Sequence, residues 1–258
     1  MKDVRRMNSN YYDLAEKCIR DANFQEALSY YLKGEEIGDI HCINALGYCY
    51  DEGFILSEDK QKAFEYYQRA ASLGSTKAQY NLGMMYKEGN SVIPKDLSLA
   101  IAWCKQAAME EEFNAVKMLA YLYKEKDELE KSIYWYEKSY ALGNTVASIL
   151  IAKLYDELND ISKAYQWYEV AAEYGYVEAQ TKIGFYYKQQ EQYEKAVYWL
   201  EKAVKQKDDF ATSLLAACYM YGQGVKKDVD KAMDLLSMCN LENLYIPLDM
   251  EDEFDEEI

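Results

Sequence analysis

An all-α stack of helical hairpins is the fold class that the sequence predicts, and three observations predict it. The four tryptophans, Trp103, Trp135, Trp167 and Trp199, stand 32 residues apart. A fixed period of this length marks a stacked-repeat architecture. Each period holds two apolar stripes at helical spacing. Half of the residues are hydrophobic, and only 2 are Pro and 12 Gly, which suits a helical chain with a buried interior.

The stretch from Ala147 to Gly175 serves as the template. Its first half places Ala147, Ile151, Ala152 and Tyr155 on one helical face, and its second half does the same with Ala164, Trp167, Tyr168, Ala171 and Ala172. The polar elbow Asp156-Glu157-Leu158-Asn159-Asp160 separates them. Gly175 follows the second stripe, where a left-handed residue ends a helix. One hairpin cannot cover its own apolar faces, but a stack of them can.

Seven copies follow. Their first helices open at Asn10, Cys42, Ala78, Ala115, Ala147, Ala179 and Ala211. A branched apolar residue lies four positions on, a small one five on, and in six copies a tyrosine eight on. The small residue allows close helix approach. The second helices are keyed on Ala27, Ala63, Ala100, Ser132, Ala164, Ala196 and Ala232. From each key to the next opening is always 15 residues, whereas opening to key is 17, 21 or 22. Insertion is thus tolerated at the elbow inside the repeat and not at the return between repeats. Asp59, Asp96 and Asp228 each precede a key alanine by four residues, the place for a helix N-cap.

The longer elbows carry the most specific pattern. The last copy runs Tyr219, Gly222, Gly224, Val225, Asp228, Lys231, Ala232, and the second repeats Tyr50, Gly53, Asp59, Lys62, Ala63. With the A-x3-L-G-x2-Y opening and the constant return, this resembles the Sel1-like repeat family, relatives of the tetratricopeptide repeats, over roughly residues 9–240. The short copies lack the Gly-rich elbow and look closer to tetratricopeptide repeats. The resemblance implies a right-handed α-solenoid, residues 1–248 in a single domain, with protein–protein scaffolding as its usual role. Residues 241–248 are expected to cap the last repeat. Residues 249–258, with seven acids and no base, are expected to form a disordered tail.

Composition excludes several functions. The net charge is −16, the wrong sign for phosphate backbones, so no nucleic-acid partner is expected. No apolar run reaches the length of a membrane span. The N-terminus, MKDVRRMNSNYYD, lacks the apolar middle of a signal peptide. A cytoplasmic protein with no membrane insertion is expected. The Gly222-Gln-Gly224 pair follows a helix rather than a strand, which fails the context of a phosphate loop. His41, Cys42 and Cys49 invite a metal reading, but no CxxC pair occurs, and the cysteines fill core slots of a reduced protein. No metal, cofactor or catalytic residue is assigned. The Trp and Tyr ladder reads as packing between repeats, because its register to the key alanine is fixed.

What remains is a binding surface. By analogy with tetratricopeptide repeats, the concave face is built from first-helix positions −1, +2, +6, +9 and +10 relative to the opening. These positions give Tyr48, Tyr80, Met84, Lys87, Lys117, Tyr121, Lys124, Lys153, Phe185 and Lys188 as the candidate partner-binding set, with Asp51, Glu52, Glu88, Asp156 and Glu178 among them. The lysines would hold a peptide carboxylate or acidic segment, the chain's own tail being one candidate, and the rings would supply area. A mixed solvated face with local ion pairs accounts for the same residues. The function expected is a non-enzymatic scaffold that binds a protein or peptide. The alternative is an immunity or inhibitor protein that neutralises a toxin or enzyme, with its acidity favouring a basic one.

Overall fold

The computed structural model describes residues 2–239 apart from residue 111, and for residues 2–10 the helix without its side chains. The expected capping stretch 241–248 and the acidic tail 249–258 lie outside the described residues, as does the side chain of the first opening residue, Asn10. Helices pair into seven hairpins, and no strand occurs among the described residues. The chain divides between Leu142 and Gly143 into two compact units. The first unit holds α1 (Lys2–Arg20), α2 (Phe24–Glu36), α3 (Ile40–Asp51), α4 (Lys60–Ser72), α5 (Thr76–Glu88), α6 (Leu97–Met109), α7 (Phe113–Glu125) and α8 (Leu129–Ala141). The second holds α9 (Val146–Glu157), α10 (Ile161–Glu173), α11 (Val177–Gln189), α12 (Tyr193–Lys205), α13 (Asp209–Tyr221) and α14 (Val229–Ser237). Within each unit every helix packs on the next, and α1 also touches α3, α5 touches α7 and α11 touches α13. These first helices therefore make contact with one another as well as with their own partners.

Each hairpin is closed by one recurring bond. The residue that caps the second helix donates its N–H to the carbonyl of the residue eight places after the opening. The pairs are Asn23–Cys18, Asp59–Tyr50, Asp96–Tyr86, Glu128–Tyr123, Asp160–Tyr155, Gln192–Tyr187 and Asp228–Tyr219, at 2.8–2.9 Å. Extra elbow residues loop out between these two fixed points, which is why the elbow accepts insertions. Asp59, Asp96 and Asp228 are N-caps as expected. Their carboxylates accept from Lys62 N–H, from Ser98 and Leu99 N–H, and from Lys231 N–H. In the short elbows the turn needs a left-handed residue, and non-glycines take it: Ala22, Asp127, Asn159 and Glu191 have φ of 56–59°.

A second recurring contact ties five of the seven hairpins. The lysine before the key residue lies over the ring of the tyrosine eight places after the opening. Lys62 covers Tyr50 at 5.1 Å, Lys131 covers Tyr123 at 5.5 Å, Lys163 covers Tyr155 at 5.1 Å, Lys195 covers Tyr187 at 5.0 Å and Lys231 covers Tyr219 at 4.0 Å. Each such cation–ring contact contributes on the order of 0.5–1 kcal/mol at an exposed site. Lys62, Lys131 and Lys163 also pair with the acidic cap three residues before them.

The interior is assembled from small residues that let large ones in. A Cβ on Gly47 would come within 2.7 Å of the Tyr67 ring, and one on Gly83 within 2.5 Å of Cys104 Sγ. Ser132, the one non-alanine key, gives its hydroxyl to Ala120 O at 2.7 Å. Trp103 packs on the core that joins Tyr67 of the preceding repeat to Leu82 of its own, and Trp135 on the one that joins Cys104 of the preceding repeat to Leu119 of its own. Trp199 lies in the cluster that holds Tyr168 and Ile183. These tryptophans therefore pack between repeats.

Candidate protein-interaction face

The first-helix positions come together in the first unit. Six residues after each opening stand Glu16, Tyr48, Met84 and Tyr121 on α1, α3, α5 and α7. Tyr48 is 50% exposed and separates two clefts. One, of about 260 Å³, brings together the expected residues Tyr48, Tyr80 and Met84 with Asp51, Glu52 and Glu88. The other, of about 350 Å³, is walled by Tyr12, Tyr31, Tyr48 and Phe54 around Glu16. Asn81 on α5 donates to Asn44 Oδ1 on α3 at 3.3 Å, linking a residue of each cleft.

Buried tyrosines from the second helices reach this face from behind. Tyr31 gives its hydroxyl to Glu16 at 2.6 Å, and Tyr67, whose side chain is 1% exposed, gives its own to Asp51 at 3.4 Å. In the second unit Tyr168 does the same to Asp156 at 2.7 Å. Burial, joined by the adjacent carboxylate, pushes all three phenols well above their ordinary range. They stay neutral donors at any physiological pH. Sequence reasoning missed Tyr31, Tyr67 and Phe54. The recurrence of a tyrosine four places after the key was the available signal for the first two.

The expected lysines divide between the two units, Lys87, Lys117 and Lys124 in the first and Lys153 and Lys188 in the second. Lys87 lies over the Tyr121 ring at 4.9 Å, so these two form a pair beside the clefts, and Tyr121 is 47% exposed. Lys117 and Lys124 are exposed on α7. In the second unit Lys153 is ion-paired with Glu178 at 2.6 Å. Phe185 faces Phe210 at 6.1 Å and packs on the Leu200–Leu214 core, while Lys188 is half-buried on the same helix, α11.

The residues set aside on sequence grounds have structural partners. His41 packs its ring on Tyr12 at 5.4 Å. Burial pushes the Cys42 and Cys104 thiols up to about 12, and Cys49 and Cys218 to about 11. Such thiols are poor nucleophiles and poor metal ligands. Among the described residues no group of three His, Cys, Asp or Glu side chains could hold a metal. Gly224 is a packing residue: a Cβ there would lie 2.4 Å from the backbone of Tyr193 at the start of α12. No described helix is long and apolar enough to cross a membrane.

Comparison with known proteins agrees with this architecture. The family model for the Sel1 repeat matches residues 40–75, 76–111, 118–144, 155–176, 177–208 and 210–238, together well over half of the chain. The first hairpin lies outside these matches. Among solved structures, c5321, a protective antigen of uropathogenic Escherichia coli with an SLR fold, is 26% identical and superposes with a TM-score of 0.62 over 90% of this chain. The chain spans 53% of that protein's length. A Sel1 repeat protein from Oxalobacter formigenes is 24% identical, with a TM-score of 0.59 over 92% of this chain and 99% of its own. PilF of Pseudomonas aeruginosa, 14% identical with a TM-score of 0.54 over 90% of this chain and 99% of its own, shares the fold alone. No curated protein sequence matches the chain.

Proposed function

Because the chain belongs to the Sel1 repeat family, we propose that it is a non-enzymatic cytoplasmic scaffold that holds a protein or peptide partner against its first helices. Repeats of this kind are in general protein-interaction modules. In the first unit the contact set is Tyr48, Tyr80, Met84, Lys87, Lys117, Tyr121 and Lys124. In the second, Lys153, Phe185 and Lys188 provide a separate, smaller set. The observation that carries the reading is Tyr48, a large ring half exposed between two clefts on a rigid helix. Exposed aromatic anchors of this sort are enriched where interfaces draw their affinity.

The test is native co-purification at moderate salt, comparing the wild type with Tyr48→Ala and with Lys117→Glu combined with Lys124→Glu. A stoichiometric partner that is lost from these variants while they remain folded supports the reading. The same partner on all three proteins refutes the face. The net charge of −16 favours a second reading, an inhibitor of a basic toxin or enzyme. It requires that the captured partner be basic and lose its own activity in the complex.

A further inference from the structure

We propose that the two clefts flanking Tyr48 take the lysine or arginine side chains of a basic segment of another protein. This rests on the protein-binding reading above and adds the chemistry of the occupant.

The cleft between α1 and α3 is walled by Tyr12, Tyr31, Tyr48 and Phe54, carries the Glu16 carboxylate, and has neither Lys nor Arg in its lining. The faces of such rings are electron-rich and attract a cation. The Tyr31 hydroxyl orients Glu16 Oε1 at 2.6 Å and adds no positive charge. The cleft between α3 and α5 sets Asp51, Glu52 and Glu88 against one base, Lys60. That base is already committed, at 3.0 Å from Asp51 Oδ1, and the Tyr67 hydroxyl takes the other oxygen of the same carboxylate. The Glu52 and Glu88 side chains are exposed, and their carboxylates have no hydrogen-bond or ion-pair partner among the described residues. The two clefts therefore present aromatic walls with surplus negative charge, and they share Tyr48. An ammonium or guanidinium on an apolar stem matches this surface, stem against ring and charge against carboxylate. An acidic segment, such as residues 249–258 with their seven acids, carries the sign that these clefts repel. The Asn81–Asn44 bond joins the helices that carry the clefts and holds their spacing.

The experiment is a fluorescence-anisotropy titration of the full chain with a labelled synthetic peptide of alternating arginine and serine, alongside its lysine and glutamate counterparts. Tyr48→Ala is expected to weaken the basic peptides about three- to tenfold without changing the salt slope, while Tyr48→Phe stays within about twofold because the ring is kept. Glu52→Gln combined with Glu88→Gln is expected to cost about tenfold at low salt. Glu137→Gln combined with Glu173→Gln makes the same charge change at exposed sites outside both clefts and is expected to cost less than about twofold. Equal losses from the two charge pairs, no loss from Tyr48→Ala, or equal binding of the glutamate peptide would overturn the proposal. If it is overturned while Tyr48→Ala still releases the co-purified partner, the protein-binding reading stands. If the partner is retained as well, both fall.

Discussion

Gly34 and Cys42 form a size-matched pair that can be tested by exchange. They sit where the second helix of one repeat meets the first helix of the next. At the equivalent places four other junctions use two alanines, as with Ala70 and Ala78, or Ala171 and Ala179, all 0% exposed, and one uses Ser139 and Ala147. Here one partner has lost its Cβ and the other has gained a sulfur. A Cβ on Gly34 would lie 2.2 Å from Cys42 Sγ and 2.7 Å from Cys42 Cβ. Gly34→Ala alone must therefore push α2 and α3 apart. Overpacking of this kind costs about 1–3 kcal/mol, and the better helix propensity of alanine returns roughly 1 kcal/mol. The expected net loss is up to about 2 kcal/mol, a Tm drop of up to roughly 8 °C for a unit of this size. Cys42→Ala alone removes one buried heavy atom and costs about 1 kcal/mol. The double variant restores the alanine pairing of those four junctions. It is expected to recover most of the loss, with a coupling of about 1–2 kcal/mol in favour of the pair. Urea unfolding of all four proteins, with m-values compared, measures this. Strict additivity of the two single effects would refute the idea that the residues compensate each other.

Three further outcomes are expected. Lys207 holds φ of 65° at the return position where Gly38, Gly74, Gly143 and Gly175 stand in other copies, so Lys207→Gly should raise stability by about 0.5–1 kcal/mol in a thermal melt, relief of strain exceeding the added freedom of the unfolded chain. Tyr168→Phe removes a 2.7 Å bond to the Asp156 carboxylate, whereas Tyr67→Phe removes a 3.4 Å one to Asp51; the first should cost about 1.5 kcal/mol and the second about 0.5 kcal/mol or less, and equal costs would remove the distance argument. Alkali should unfold the protein through its phenols. Burial holds Tyr66 and Tyr187 up to about 12 against the ordinary 10.0. The unfolded chain then releases these protons first. Their contribution is complete below pH 10 and lost progressively up to about 12. Circular dichroism melts across that range, read with tyrosinate absorbance, should show stability falling together with phenol ionisation.

The parts of this structure legible in the sequence are those set by local period. Ala147 and Ile151 share a face because a helix puts them there, and Asp228 caps α14 because the orphan N–H groups of a first turn call for a short acceptor. The left-handed elbows were not legible, because Ala22 and Glu191 give no glycine to announce them. The carboxylate ties were hidden for a different reason. Tyr31 meets Glu16 only after two helices have taken their register, and nothing in the spacing says which acid a phenol will reach. The same holds for the lysine candidates. Periodicity places Lys153 on the first-helix face, but its charge is engaged by Glu178 of the next repeat at 2.6 Å. A face can be read from one helix; a partner requires two.

Stacking also decides which residues remain available for binding. Positions four, five and eight after the opening are consumed by packing and by the hairpin bonds. The sixth position takes no part in the recurring backbone bond, and in the first unit it carries Glu16, Tyr48, Met84 and Tyr121. Tyr48 and Tyr121, 50% and 47% exposed, are anchored on helices and have two side-chain torsions each. Burying them against a partner therefore costs little ordering entropy, where a lysine of four torsions loses up to about 2 kcal/mol. The two kinds of residue should act on different steps. Loss of the Tyr48 ring shortens the lifetime of a complex and leaves its formation rate nearly unchanged. Charge reversal at Lys117 or Glu88 alters the formation rate and its salt dependence. Stopped-flow association with the native partner separates the two. If Tyr48→Ala slowed association as much as the charge reversals do, the ring would be guiding encounter rather than holding the complex.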